Sequence, residues 1–253
     1  MFLKIKSILI NLLGIKLYLK FVSKIYFIIY KIGLLKLFSG SFEEVNYLHK
    51  LIKPGWHCID IGANLGYVTI PISNLCGKNG KVLAVEPVKL FSGLLKRHVK
   101  KYGNGNVEIY EYALGKDDDK KIEMGMPLID GVLRHGFTKI VESSSKYPYA
   151  EKYDVKMKNP KSLFGDIDKL NFLKCDVEGY EINIIPEMID LIKKFKPVIL
   201  IEFGLQESRK ILSDMFYQIG YELYRIENEE LKKVTKEEML TLTLNSYFLL
   251  PVS

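Results

Sequence analysis

Cys58-Ile59-Asp60-Ile61-Gly62-Ala63-Asn64-Leu65-Gly66-Tyr67 is the stretch on which the reading of this chain turns. An apolar run with the character of a strand delivers its last residues into a tight turn, and a helical pattern follows at once. Glycine at positions 62 and 66 lets the backbone approach a ligand where a Cβ would collide. At the rim of a parallel sheet, such a junction is where nucleotides bind. The spacing is not that of a dinucleotide pyrophosphate loop, because G-x-G-x-x-G needs a glycine at position 64, where asparagine stands. Asp60 is expected to point a carboxylate at the site, which suits a cationic amino-acid group better than a pyrophosphate. Downstream, Val82-Leu83-Ala84-Val85-Glu86-Pro87 ends a second strand in Glu86, an acid placed to accept both hydroxyls of a ribose.

Outward from this loop, short apolar runs alternate with longer amphipathic ones. Strands are predicted over His57–Ile61, Lys81–Glu86, Val107–Tyr112, Phe172–Asp176, Val198–Glu202, Tyr221–Ile226 and Tyr247–Val252. Helices are predicted over Leu65–Cys76, Val88–Tyr102, Tyr180–Lys194 and Ser208–Ile219, three of them closed by Gly77, Gly103 and Gly220. Near-continuous apolar strands alternating with helices imply an α/β fold, a doubly wound and mostly parallel sheet covered on both faces. One connection breaks the rhythm. Residues 116–160 separate the third and fourth strands without a strong helix, and connections that long are usually functional or carry extra strands. This segment holds Arg134-His135 and the tyrosines 147, 149 and 153.

The distribution of charge divides the chain into a basic helical segment, residues 1–41, and a body, residues 42–253. The chain has 37 basic and 30 acidic residues. Seven of the basic ones are lysines within residues 1–42, which contain no acid, so the remainder is balanced and the net charge of +7 belongs to the N-terminal segment. A balanced body argues against nucleic acid as partner. The longest uncharged stretch there, Ser7 to Ile15, is far short of the roughly 20 residues that span a bilayer. At 100° per residue, Lys16, Lys20, Lys24 and Lys31 fall within an arc of about 80°, and Leu17, Phe21, Ile25, Ile28 and Ile32 lie mostly away from it. Residues 1–38 therefore read as a helix lying in an anionic membrane surface, apolar side down, with lysines snorkelling to phosphate. The competing reading is a helix packed on the protein's own core with a solvated lysine edge. Cys58, Cys76 and Cys175 show no ligand spacing and read as buried thiols of a cytoplasmic, reducing compartment.

After the fourth strand comes Asp176-Val177-Glu178-Gly179-Tyr180-Glu181, whose carboxylates should emerge at the same rim as the glycine loop, beside Glu202. A carboxylate or histidine there can take a proton from a hydroxyl, and the candidates are Asp176, then Glu178, then His135. Glu181 reads as an exposed first-turn helix residue favoured by the helix dipole. His49 and His57 are assigned nothing catalytic, and His98 reads as one of a lysine-rich helix face. Three carboxylates make Mg²⁺ conceivable, but hydrogen bonds to loop backbone explain them as readily, so no metal is expected.

Asp60-Ile61-Gly62-Ala63-Asn64-Leu65-Gly66-Tyr67, Val85-Glu86-Pro87, Ala113-Leu114-Gly115 and Leu173-Lys174-Cys175-Asp176-Val177-Glu178-Gly179-Tyr180-Glu181 resemble the successive signatures of the FkbM family of methyltransferases, over about Phe42 to Pro251. The resemblance implies a seven-stranded class I, Rossmann-like sheet whose final strand is inserted antiparallel. It implies S-adenosylmethionine as methyl donor and O-methylation of a hydroxyl on a natural product, sugar or glycolipid. It further implies that Asp60, Gly62, Asn64 and Gly66 line the methionine and ribose end of the cofactor, that Glu86 takes the ribose, and that Ala113 flanks the adenine. Residues 116–160 follow no matched pattern, so the acceptor is not implied. Two other readings compete. A nicotinamide-dependent oxidoreductase is disfavoured by the missing middle glycine and by Asp60. A degenerate scaffold at the membrane would have no need of Asp60, Gly62, Gly66 and Glu86.

Overall fold

The computed structural model describes residues 2–143, 145–204, 206–242 and 246–252. In chain order the strands are β1 His57–Ile61, β2 Lys81–Val85, β3 Val107–Tyr110, β4 Ala113–Leu114, β5 Lys121–Ile129, β6 Val132–Leu133, β7 Lys139–Ile140, β8 Tyr149–Lys158, β9 Phe172–Cys175, β10 Val198–Glu202, β11 Tyr221–Glu227, β12 Glu230–Val234 and β13 Ser246–Pro251. The helices are α1 Phe2–Lys31, α2 Ser39–Leu51, α3 Thr69–Cys76, α4 Lys89–Tyr102, α5 Pro160–Phe164, α6 Glu181–Phe195, α7 Gln206–Gln218 and α8 Lys236–Thr241.

The main sheet runs β12-β11-β13-β10-β9-β1-β2-β3. Strands β3, β2, β1, β9 and β10 pair in parallel, and β13 is inserted antiparallel between β10 and β11. The seven expected strands and the inverted last one are present. An eighth, β12, extends the edge as a hairpin on β11. Its two-residue turn, Asn228-Glu229, holds both residues at positive φ (53° and 62°), the twist such hairpins require. The charged sequence around that turn hid the strand from a reading based on apolar runs.

Side chains alternate across the sheet. Ile59 and Ile61 of β1 join α6 and α7 residues such as Ile184, Met188 and Leu212 in one buried layer. Cys58, with Val82 and Phe172, joins Leu48 of α2, Ile52 just after it and Ile72 of α3 in the other. Burying each such aliphatic or aromatic side chain contributes about 1.5–3 kcal/mol, so the two layers hold the strand ends in place. The chain leaves β1 toward β2 and β3, then returns to the other side of β1 as β9. This makes the C-terminal ends of β1 and β9 the topological switch point.

The long connection forms a second sheet, β4-β8-β5-β6, with β7 on the side of β5. The expected third strand, Val107–Tyr112, is shortened: it stops at Tyr110, and beyond it Ala113 and Leu114 pair with Met157 and Lys158 of β8.

α1 is kinked at Gly14 (φ 72°, ψ 157°) and docks on the body. Phe27 is fully buried and stacks on Tyr102 with ring centroids 4.9 Å apart. The Tyr26 hydroxyl donates to the Tyr67 carbonyl (2.9 Å). His98 is buried rather than part of an open lysine face: its Nδ1 donates to the Leu65 carbonyl (2.8 Å), and its Nε2 lies 3.2 Å from Ser23 Oγ of α1. Lys16, Lys20, Lys24 and Lys31 are exposed. So are Leu17, Phe21, Ile25, Ile28 and Ile32, on a stripe facing away from the body. One face of this helix packs on the body, as the second reading expects, and another is left exposed. Among the described residues no helix is long and apolar enough to cross a membrane.

Candidate active site

At the switch point, β1, β2 and β9 end around a cavity of about 280 Å³. Its walls include Gly62, Ala63 and Asn64 of the glycine loop, Glu86, Ala113, Asp176 and Glu178, with His135 and Thr138 from the second sheet's connections. Gly62 sits at φ 77°, and a Cβ there would stand 1.9 Å from the backbone oxygen of Asp176. Only glycine fits where the two loops cross. Gly66, at φ 91°, would place a Cβ 2.8 Å from Leu95 Cδ1, so it packs the loop against α4 and does not line the cavity. Because that turn carries the chain back on itself, α3 starts at Thr69 and not at the expected Leu65.

Glu86 is almost fully buried. Its Oε2 accepts from the Asn64 N–H and its Oε1 from the Val88 N–H, each at 2.9 Å. Burial pushes its carboxyl up to about 7 against those two donors. Each oxygen keeps a second lone pair for a ligand hydroxyl. Asn64 adopts a left-handed backbone (φ 49°), and its buried Oδ1 has no partner. Asn64 is part of the cavity wall, and an orphaned acceptor there calls for a ligand donor.

Asp60 differs from its expected placement. It is completely buried and does not line the cavity. Side chains alternate along β1, so Asp60 faces the α3 side with Cys58, and there it accepts from Thr69 Oγ1 (2.6 Å). Lys174, its register partner on β9, lies 3.7 Å away, donates to the Gly62 carbonyl (3.1 Å) and reaches Asp176 Oδ2 at 3.1 Å. Burial alone would lower the proton affinity of Lys174, but the Asp176 and Asp60 carboxylates outweigh it and hold the ammonium charged. The pair fastens the glycine loop to β9 from beneath. Sequence reasoning gave Lys174 no role. The available signal was a charged residue inside an apolar strand between two helical layers, which must find a partner.

Asp176, Glu178 and Glu202 each offer an oxygen within 4.8 Å of the others, a spacing that would also admit a divalent cation. Burial opposes ionisation of Asp176, but Lys174 and a hydrogen bond from Glu202 hold its carboxyl below the usual range. Glu202 is pushed up to about 9 by burial and by that same hydrogen bond, which it donates as the protonated partner. Burial, then the charge of Asp176, pushes Glu178 up to about 8. Glu178 sits in left-handed backbone (φ 58°), sparsely populated for any residue but glycine. Glu181 holds that turn: it is fully buried, and its Oε1 accepts from the N–H groups of Val177 (2.8 Å) and Gly179 (3.3 Å). The expected exposed first-turn role is therefore corrected, since the turn's amides needed an acceptor that solvent could not supply. His135 occupies a 3-10 turn, residues 135–137, at the cavity edge. Burial lowers its imidazole to about 4, so it is neutral, and its Nδ1 has no partner.

The sequence model of the methyltransferase FkbM domain matches residues 60–228. The chain belongs to the FkbM methyltransferase family. That assignment makes it an S-adenosylmethionine-dependent methyltransferase, and the cavity fits the cofactor. The orphaned Asn64 Oδ1 and the free lone pairs of Glu86 match an ammonium and a ribose. Solved structures with a similar fold include an FkbM methyltransferase from Methylobacillus flagellatus KT (14% identity, TM-score 0.47, 81% of this chain and 50% of that one). Others are a SAM-dependent O-methyltransferase from Thermotoga maritima (17%, 0.45, 83% and 65%) and a precorrin-6y C5,15-methyltransferase from Geobacter metallireducens GS-15 (16%, 0.45, 81% and 85%). Likeness at this level adds nothing to the topology already described. No curated protein sequence matches this FkbM chain significantly.

Proposed function

We propose that this FkbM methyltransferase O-methylates a hydroxyl of a sugar, glycolipid or similar natural product at the cytoplasmic surface of an anionic membrane. The observation that carries the chemistry is the convergence of Asn64, Glu86, Asp176 and Glu178 on one cavity, with Glu202 beside the last two. When bound, S-adenosylmethionine supplies an electrophilic methyl group. Asn64 and Glu86 hold the ammonium and ribose ends, and Ala113, buried beside β8, flanks the adenine. Asp176, kept ionised by Lys174, orients the acceptor hydroxyl. Glu178 takes its proton, because a carboxyl near 8 is a stronger base than one held below the usual range. Neutral His135 is the reserve base. Positioning supplies much of the acceleration in such a transfer.

Glu86→Ala is expected to weaken S-adenosylmethionine binding roughly ten- to a hundred-fold, the loss of charge-assisted bonds of about 1.5–3 kcal/mol. Calorimetry on wild type, Glu86→Ala and Glu86→Gln checks it. Affinity in the wild type should rise with pH through about 7 as Glu86 ionises. Equal affinity in all three proteins would remove the ribose assignment, and binding of NADH in place of S-adenosylmethionine would overturn the enzyme class.

Membrane attachment is supported by the exposed stripe and lysines of α1. Each lysine near an anionic surface contributes about 1 kcal/mol, and salt screens that term. In flotation assays the chain should rise with anionic vesicles, release with salt, and fail to float with neutral ones. A chain that stays at the bottom with both would end the membrane reading.

A further inference from the structure

Among the described residues thirteen large apolar side chains are exposed, and ten of them lie between Ile8 and Leu37. Phe137, half exposed, is one of the three others. It closes the 3-10 turn whose other residues, His135 and Gly136, line the active-site cavity. The same turn follows β6, against which α1 packs. The first part of α1 reaches this region directly: Ile10 shares a buried cluster with Phe91 and Met126, and Leu133 packs against it. Lys6 lies close enough that Arg134 helps to lower its proton affinity, and its charge in turn opposes protonation of His135. The first part of the helix that carries the apolar stripe thus packs beside the turn at the cavity mouth, and the mouth carries its own exposed aromatic ring. An exposed aromatic ring at a loop tip is favoured where water meets lipid.

The geometry points to a cavity mouth that sits at the bilayer surface, with Phe137 inserted beside α1, so that the acceptor is a membrane-resident amphiphile. Its hydroxyl-bearing head enters past Gly136 and Thr138, and its apolar part stays in the lipid. This rests on the membrane reading above and adds the orientation and the class of acceptor. The lysines of α1 choose the occupant of this surface, because a purely apolar protein partner would leave Lys16, Lys20, Lys24 and Lys31 unpaired, whereas anionic headgroups pair them.

Trp56 is the sole tryptophan. In a W56F background, single reporters F137W and F21W are bound to phosphatidylglycerol–phosphatidylcholine vesicles containing brominated lipid. Both reporters should shift to the blue and be quenched. In the otherwise native chain, F137D should weaken binding to the same vesicles roughly tenfold and leave S-adenosylmethionine affinity unchanged. Quenching at F21W with none at F137W, and native vesicle affinity for F137D, would overturn the orientation and leave membrane attachment standing. Quenching at neither position would overturn both.

Discussion

Lys174→Met should lower the stability of the enzyme by about 3–5 kcal/mol, the loss expected when one partner of a buried ion pair is removed. For a chain of this size that corresponds to a fall in Tm of roughly 6–20 °C. The substitution keeps the length of the side chain and deletes its charge. Asp60, with no exposed surface, then loses its cation, and the Gly62 carbonyl loses its donor. Asp176 is affected less, because it is about 40% exposed and water can replace the ammonium. The double variant Lys174→Met/Asp60→Asn should recover much of the loss, since an amide is buried there in place of an orphaned charge. Calorimetric unfolding of the three proteins decides the matter. An unchanged Tm in Lys174→Met would show that the pair does not fasten the glycine loop to β9.

Glu178→Gln is expected to reduce turnover by about 10²–10⁴-fold, the contribution of a general base, with cofactor affinity near that of the wild type. The ionised base is the active form, and its carboxyl lies near 8. Wild-type kcat should therefore climb with pH and level off above about 8, and Glu178→Gln should lack that limb. Asp176→Asn is expected to reduce kcat as well and to keep the limb, moved to lower pH because the charge that helps to raise Glu178 is gone. Each protein is assayed with and without a chelator, and the expected wild-type result is no change. Loss of activity under chelation with recovery on added Mg²⁺ would replace the base by a cation held on Asp176, Glu178 and Glu202. Wild-type turnover in Glu178→Gln would reject it as base and make His135 the residue to test.

Much of this site is legible in the sequence, and the reason is locality. Gly62, Asn64 and Glu86 belong to strand ends, and a strand end at a parallel sheet's rim fixes where its next residues go. The apolar runs of β1, β2, β9 and β10 announce strands covered on both faces. Asp60 departs from its expected place because its neighbours along the chain are cavity residues, while its side chain follows the alternation of β1 and turns beneath them. Glu181 departs in the same way. Helix position suggests exposure, but the turn formed by Val177 and Gly179 lies over it and uses its carboxylate.

By itself the sequence determined the order of the central elements, the glycine loop, the strand-end acids and the family, all of which depend on residues close together along the chain. Only the tertiary structure decided that Lys174 stands abreast of Asp60, 114 positions away. It also decided that residues 116–160 fold into a second sheet bringing His135 to the cavity, and that α1 uses one face for the body while leaving another exposed. These outcomes depend on strand register and on which surface a helix meets. Both are set by contacts between distant segments, for which an apolar pattern on a single helix or strand offers more than one solution.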